Sequence, residues 1–267
     1  MNGLTATPSS VGALAAGWTI AGTGDFNSDG KADILLKNTD GSVATWQMNG
    51  GVVTKASSIG ILNSGWSIAG TGDFNGDGSS DLLLRNSNGS IATWQMNNQA
   101  VTQASSIGTA GTDWTVAGVN DFNGDGKSDL LLQKTDGTVA LWTIDGASVV
   151  NAKSVGTLTS GWSIAGTGDL NGDGKADILL RNTSGSVADW LMNGSNITAT
   201  NSLGSATTDW KITGTGDFNG DGKAEILWRN DNGGVATWQT DGASTLSAGA
   251  TSIPSAATSW NIAAPIG

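Results

Sequence analysis

The chain contains no cysteine, no histidine and no tyrosine among its 267 residues. Without cysteine it forms neither a disulfide framework nor a thiolate metal site. Without histidine it cannot build a Ser-His-Asp triad, and without cysteine it has no thiol nucleophile. No stretch of the sequence approaches the roughly 18 apolar residues that a membrane-spanning helix needs, so we expect no transmembrane segment.

Basic residues are also scarce. Twelve Lys and Arg stand against 23 Asp and Glu, which gives a formal net charge of -11. A chain this acidic repels nucleic acid phosphates, so we expect no DNA or RNA partner. Residues 1–14 lack the basic segment and apolar run of a signal peptide. This favours a mature form, or a piece of a longer secreted protein.

Repetition is the dominant feature of what is present. The segment GDFNSDGKADILL at residues 24–36 recurs four times with small changes, each time 48 residues further on. Its first acid falls at Asp25, Asp73, Asp121, Asp169 and Asp217. Two tryptophan series keep the same step: Trp18, Trp66, Trp114, Trp162 and Trp210, and Trp46, Trp94, Trp142, Trp190 and Trp238. Trp260 is a sixth member of the first series, displaced by two residues.

Each repeat predicts four short strands. In the second repeat these are residues 66–74, 80–85, 90–96 and 101–107, separated by clusters of Gly, Asn, Asp and Ser that favour turns. Nothing shows a 3.6-residue apolar period, so we expect almost no helix. A four-stranded unit of 40–50 residues, repeated in tandem, is typical of a β-propeller. A parallel β-helix has shorter coils, and 48 residues is small for a two-sheet sandwich domain.

We therefore predict an all-β, five-bladed propeller that spans residues 1–267 as one domain. The repeats are assigned to residues 17–64, 65–112, 113–160, 161–208 and 209–256. Fourth-strand segments are expected at residues 4–11 and 244–253, and an extra first strand at 260–264. The terminal pieces 1–16 and 257–267 could complete a blade across the two ends, form a partial sixth blade, or contact another subunit.

The loop of each repeat follows the pattern D-x-N-x-D-G-x-x-D, which predicts a calcium site because hard cations prefer several oxygen ligands on a tight loop. Gly30, at the sixth position, is expected to adopt a positive φ. The seventh position would contribute its main-chain carbonyl. The predicted ligands are Asp25, Asn27, Asp29, Lys31 and Asp33; Asp73, Asn75, Asp77, Ser79 and Asp81; Asp121, Asn123, Asp125, Lys127 and Asp129; Asp169, Asn171, Asp173, Lys175 and Asp177; and Asp217, Asn219, Asp221, Lys223 and Glu225.

These loops are not EF-hands, because the twelfth position carries Leu or Trp where an EF-hand carries a bidentate Glu. The fifth loop ends in Glu225, the only Glu of the chain, so we expect its affinity or geometry to differ. Three acids in each of five loops account for 15 of the 23 carboxylates. Their mutual repulsion opposes folding, so about five calcium ions per chain should stabilise it.

The string GDFNGDGKADILLRN, preceded by WSIAG and followed by SVATWQMNG in variants of the repeat, resembles the FG-GAP/VCBS-type repeat. The resemblance covers residues 10–262. It implies a β-propeller like that of integrin α-subunit heads, with calcium between the first and second strands of each blade. The tryptophan-bearing repeat is also similar to propeller lectins, whose sugar sites lie between adjacent blades.

Catalysis is not expected. The acids outside the loops lie mostly in turns, and only Asp189, beside Trp190, interrupts a strand. One acid does not make the carboxylate pair of a glycosidase. A fivefold repeat instead predicts several equivalent weak sites that gain avidity together.

Two functions remain open. The first is a multivalent lectin, in which aromatic faces stack on sugars while Arg and amide groups bond hydroxyls. Its candidate residues are Trp46, Arg85, Asn86, Trp94, Gln95, Trp142, Arg181, Trp190, Arg229 and Trp238. The second is a calcium-stabilised adhesion or scaffold domain that binds a cell-surface protein. Tryptophan could simply fill the gap between blades. Calcium loops favour an extracellular or cell-surface location.

Overall fold

The computed structural model describes residues 10–244 and the backbone of residues 251–253. In this part of the chain, twenty strands form five antiparallel sheets of four consecutive strands each, the five blades of a β-propeller. Within the described residues there is no helix, as the sequence predicts. The predicted first strand at 260–264, and most of the fourth strand predicted at 4–11, lie outside these residues.

The strands keep the 48-residue step of the sequence. Blades 1 and 2 comprise β1 (Trp18–Gly24), β2 (Asp33–Asn38), β3 (Ser42–Asn49), β4 (Val52–Ile61), β5 (Trp66–Gly72), β6 (Asp81–Asn86), β7 (Ser90–Asn97) and β8 (Ala100–Thr109). Blade 3 comprises β9 (Trp114–Asn120), β10 (Asp129–Lys134), β11 (Thr138–Asp145) and β12 (Ser148–Thr157). Blade 4 comprises β13 (Trp162–Gly168), β14 (Asp177–Asn182), β15 (Ser186–Asn193) and β16 (Asn196–Ser205).

Blade 5 comprises β17 (Trp210–Gly216), β18 (Glu225–Asn230), β19 (Val235–Trp238) and β20 (Thr251–Ile253). Its last strand falls within the fourth-strand segment predicted at 244–253. In every blade the strand order in the sheet follows the chain, so the first strand is innermost and the fourth lies at the outer edge.

The innermost strands contact one another in the order β1, β5, β9, β13, β17. Small residues such as Ala69 and Gly70 allow this close approach, as the sequence indicates. Each innermost strand also carries a β-bulge, which leaves one residue unpaired opposite the second strand: Ala21, Ala69, Ala117, Ala165 and Thr213. A central cavity of about 610 Å³ lies between β5, β9, β13 and β17.

The hydrophobic core lies between the blades. Four buried clusters each combine residues of two adjacent blades, for example Leu83 and Ile91 of blade 2 with Leu130 and Leu132 of blade 3. A four-stranded sheet cannot bury both faces alone, so each blade depends on its neighbours. Third-strand tryptophans contribute to this packing. A methyl group placed on Gly60 of β4 would lie 3.0 Å from the Trp94 ring of the next blade.

Candidate functional site

The loop between the first and second strands of each blade is closed by its first aspartate. In blade 1, Asp25 Oδ2 accepts a hydrogen bond from the N–H of Gly30 at 2.7 Å. Gly30 has a φ of 78°, which confirms the predicted positive φ. In each of the other four loops, the first aspartate accepts the same bond, from Gly78, Gly126, Gly174 and Gly222.

Two further oxygens converge on the centre of each loop. The N–H of Asp29 is shared between Asp25 Oδ1 at 3.1 Å and Asn27 Oδ1 at 3.0 Å. The same shared bond occurs at Asp77, Asp125, Asp173 and Asp221. A carboxylate oxygen and an amide oxygen therefore lie side by side in all five loops, and the carboxylate oxygen accepts at least one further backbone N–H bond in each loop.

The last acid of the loop is buried beneath it. Asp81 is inaccessible to solvent, and its two oxygens accept bonds from Phe74 N at 3.1 Å and Met96 N at 2.7 Å. Asp33, Asp129 and Asp177 make the equivalent pair of bonds. This acid joins the loop to the third strand, a structural role that the ligand prediction did not include.

Burial opposes the charge on these acids. It raises the pKa of Asp81, Asp129 and Asp177 to about 7. The two backbone N–H bonds of each acid act in the opposite direction and lower the pKa, whereas the charges of the other two loop aspartates raise it. The pKa of Asp33 is raised for the same reasons. A cation in the loop would favour the ionised form of each acid.

The fifth loop departs from this pattern. Glu225 Oε2 accepts a bond from Phe218 N at 2.8 Å, but Oε1 accepts one from the side chain of Asn219 at 2.9 Å. The longer side chain turns back into its own loop. Thr240 takes the place of the third-strand methionine, and its hydroxyl donates to Leu170 O and Ala224 O.

The donor set suits a hard cation. Each loop presents carboxylate and amide oxygens, which calcium prefers, and no nitrogen or sulfur ligand. Over the described part of the chain, no group of three or more Asp or Glu side chains is arranged to hold a metal ion. A calcium site here would therefore combine side-chain oxygens with main-chain carbonyls.

Adjacent loops are bonded to each other across the blade interfaces. The N–H of Ser80 donates to Asp25 O of the preceding blade at 2.6 Å, and Ser128, Ala176 and Ala224 repeat this bond. Gly146 N likewise donates to Phe74 O at 2.7 Å. The loops therefore form one connected row along one face of the propeller.

A second kind of site lies between blades. A groove of about 450 Å³ between blades 2 and 3 is lined by Ser67, Arg85, Asn86, Thr112 and Trp114, among others. A groove of about 300 Å³ between blades 4 and 5 is lined by the residues 96 positions later: Ser163, Arg181, Asn182, Thr208 and Trp210. The two grooves are thus equivalent sites, two repeats apart.

These grooves contain only part of the predicted ligand set. Arg85, Asn86 and Arg181 line them, but the tryptophan is that of the first-strand series, which the sequence analysis did not select. The first-strand tryptophans recur every 48 residues, as the third-strand tryptophans do, so the spacing in the sequence did not favour either series for the site. Arg85 also donates to the carbonyls of Gly89, Ala110, Gly111 and Trp114, so it holds the link between blades.

The third-strand tryptophans lie elsewhere. Trp94, Trp142 and Trp190 pack on glycines of the preceding blade, at Gly60, Gly108 and Gly156. Trp190 also lines a cavity of about 400 Å³ with Trp162, Thr200 and Ser202.

The remaining predicted ligand residues are distributed over the blades. Trp238 contacts Trp228, with ring centroids 4.6 Å apart. Arg229 donates a hydrogen bond to Gly233 O at 2.9 Å. Gln95 is buried, and Trp46 is half-buried in β3.

Asp189 stands apart from the other acids. It is fully buried in β15, where the other repeats carry Thr or Leu. Its Oδ1 accepts bonds from the N–H and the side-chain amide of Asn201, both at 3.0 Å. No described residue bonds its Oδ2. Burial raises its pKa to about 6, although the two hydrogen bonds from Asn201 lower it.

Comparison with known proteins identifies the repeat. A model of the FG-GAP-like repeat matches residues 25–84, 73–132, 121–180 and 169–228, and a model of the FG-GAP repeat matches residues 210–248. No curated protein matches the chain. Within the described residues, no helix is long and apolar enough to cross a membrane.

A similar fold occurs in the crystal structure of Raptor from Chaetomium thermophilum. The TM-score is 0.50 at 14% identity, over 89% of this chain and 21% of that one. The chain thus spans about a fifth of that structure, and the likeness shows the fold alone. The repeat models cover most of the sequence, and the chain belongs to the FG-GAP repeat family.

Proposed function

We propose that this chain is a non-catalytic, calcium-binding β-propeller that binds glycans at several equivalent sites between its blades. The paired grooves carry the proposal. Each places a tryptophan beside an Arg, an Asn and two hydroxyl side chains, and the arrangement recurs 96 residues later.

The chemistry of these grooves suits a sugar. A half-exposed indole offers an apolar face to the C–H side of a pyranose ring. The hydroxyls of Ser67 and Thr112 and the amide of Asn86 offer donors and acceptors for sugar hydroxyls. The volumes of about 450 and 300 Å³ fit one or two sugar units. Two or more such sites on one chain would bind a multivalent glycan by avidity.

The loops support calcium binding. Calcium would supply positive charge to loops that each carry three acids. Asp25, Asn27 and Asp29 would hold it with the carbonyl of Lys31, and the charge of Asp33, buried beneath the loop, would add to the attraction. The equivalent residues of the other loops would do the same. Weak loop sites of this kind function at the high calcium levels outside cells, so we propose an extracellular or cell-surface location.

A glycan array tests the proposal. Wild-type protein is applied in millimolar calcium, beside a double variant in which Thr112→Arg and Thr208→Arg fill the two grooves. Both threonines are exposed, so the core stays intact. Thr102→Arg with Thr198→Arg, at exposed positions on the outer strands β8 and β16, is the matched control, because it adds the same charge. We expect the wild type and the control to bind a defined glycan and the double variant to lose that binding.

Two outcomes would contradict the glycan proposal. In the first, the double variant binds like the wild type, which would place the site elsewhere. In the second, folded and calcium-loaded wild type binds no glycan, which would favour the protein-binding scaffold. Repeating the array in EDTA shows whether the metal supports the site.

A further inference from the structure

The seventh residue of loops 2 to 5 reaches across to the loop of the preceding blade. A methyl group placed on Gly76, the fourth residue of loop 2, would lie 3.3 Å from Cε of Lys127 in loop 3. Gly124 with Lys175, and Gly172 with Lys223, repeat this contact at 3.3 and 3.2 Å. The methylene stem of each lysine therefore lies over the backbone of its neighbour's loop.

One pair of loops departs from this arrangement at both positions together. Loop 1 has Ser28 where the others have glycine, and loop 2 has Ser79 where the others have lysine. The two hydroxyls bond each other at 2.6 Å. A side chain at position 28 occupies the place that a lysine stem would need, so the two changes compensate each other.

Two of the four lysines place their charged ends close to proposed calcium ligands of their own loops. Lys31 Nζ is 3.5 Å from Asp29 Oδ2, and Lys175 Nζ is 3.7 Å from Asp173 Oδ2. Lys127 Nζ instead bonds Asp145 Oδ1 at 2.6 Å. That bond raises the pKa of Lys127, and the charges of Asp125 and of Asp73 in the preceding loop raise it further.

We propose that the seventh-position lysines set the calcium affinity of the row of loops, each lowering it in its own loop and in the preceding one. The inference rests on the proposed calcium binding. Loops 3 and 4 each lie between two lysines, whereas loops 1 and 2 have one lysine and the Ser28–Ser79 pair. Loops 1 and 2 are therefore tighter sites than loops 3 and 4. Loop 5 also has one lysine, Lys223, but its Glu225 changes the ligand geometry.

The size of the effect follows from Coulomb repulsion. An ammonium within several ångströms of a divalent ion, in a half-exposed site, weakens binding roughly three- to tenfold. Because the lysines are partly exposed, salt screens the effect. The difference between loops should therefore shrink between about 0.02 and 0.5 M salt, where the Debye length falls from about 20 Å to below 5 Å.

Calcium titration by calorimetry and equilibrium dialysis tests this inference. Lys127→Ser places in loop 3 the serine that loop 2 has at its seventh position, Ser79. It removes the lysine that belongs to loop 3 and lies over loop 2. The double change Ser28→Gly with Ser79→Lys installs the glycine–lysine contact between loops 1 and 2. Lys153→Ser is the control, because it changes net charge equally from the outer strand β12, where Lys153 contacts Asn196.

We expect Lys127→Ser to tighten two sites by three- to tenfold at low salt, and the double change to weaken two sites by a similar factor. Lys153→Ser should leave all sites within twofold of wild type. If Lys127→Ser and Lys153→Ser change calcium affinity equally, or if neither changes it, the proposed role of the lysines is wrong. Calcium binding by the loops would be unaffected by that result. A wild type that binds no calcium at millimolar concentration would overturn both.

Discussion

At the scale of single residues, Asp189 is a fully buried acid that the other repeats lack. Its pKa rises from 3.8 to about 6 because it is buried and one oxygen has no described partner. The folded state therefore holds the proton more tightly than the unfolded state. Its contribution is most favourable below pH 4, is lost as pH rises through 6, and stays lost above that.

We expect Asp189→Asn to be more stable than the wild type at pH 7.5 by about 2–3 kcal/mol, the free energy equivalent of this pKa shift. The two proteins should approach equal stability near pH 4. Urea unfolding at both pH values measures the difference. Asp40→Asn, at an exposed turn, is the control and should change little. A less stable Asp189→Asn at pH 7.5 would show that the carboxylate has a partner that only its charged form satisfies.

The buried loop acids are a different case, because both of their oxygens are bonded. Asp81→Ala leaves the buried N–H groups of Phe74 and Met96 without acceptors. We expect a loss of about 2–4 kcal/mol in metal-free buffer at about pH 5.5, below the raised pKa of Asp81, since two buried donors are left unsatisfied. Unfolding in EDTA isolates this effect from calcium. A loss below about 0.5 kcal/mol, the range of surface substitutions, would contradict the account.

At the scale of elements, the contact between β4 and the third strand of the next blade fixes blade spacing. Gly60 has a φ of 152°, and an added methyl group would lie 3.0 Å from the Trp94 ring. Gly60→Ala should therefore destabilise the protein through both backbone strain and displacement of the ring. Gly50, with a φ of 60° and open space around it, is the control for an alanine in the more accessible left-handed region, so the difference between the two variants combines the strain at φ 152° with the displacement of the ring.

We expect Gly60→Ala to cost about 1–3 kcal/mol more than Gly50→Ala, the range of overpacking in a well-packed core. Thermal unfolding measures the stabilities, and tryptophan fluorescence reports movement of the ring. Equal costs at the two positions would show that the blade spacing adjusts freely.

The sequence predicted the strands of the blades within a few residues, because the same turn signals recur in every repeat. The second repeat was expected to have strands at 66–74 and 101–107, and β5 and β8 span Trp66–Gly72 and Ala100–Thr109. The bulges at Ala69 and its equivalents were not predicted. They arise from the crowding of inner strands, and Ala and Gly there leave no distinct pattern.

The loops were predicted more fully than the grooves. Local spacing alone brings Asp25, Asn27 and Asp29 together, so the sequence determines their geometry. The grooves combine residues of two blades, such as Arg85 and Trp114. Which tryptophan series faces a groove depends on how adjacent blades pack. Both series repeat every 48 residues, so the sequence does not distinguish between them.

At the scale of the whole molecule, charge and packing act together. The five loops hold 15 of 23 acids, and over the described residues the blades pack at four interfaces and are bonded between adjacent loops. Five divalent ions, 10 positive charges, would bring the net charge from -11 to -1. Metal bound at the loops would relieve the repulsion along that face of the propeller.

We therefore expect calcium to raise the free energy of unfolding by about 2.7 kcal/mol for each site at a calcium concentration 100 times its dissociation constant. Thermal unfolding in EDTA, magnesium and calcium measures the effect. Magnesium should stabilise less, because it demands octahedral geometry and keeps its waters. Equal melting temperatures in EDTA and calcium would contradict the proposed role of the loops.

The central claim is that all five loops bind calcium, and native mass spectrometry of the intact chain tests it most directly. We expect five calcium ions per chain after exchange into millimolar calcium. In a Glu225→Asp variant we expect the fifth site, whose geometry differs, to fill within the concentration range of the other four. A chain that carries no calcium under these conditions would contradict the account, and the aspartates and asparagines would then serve only to shape the turns.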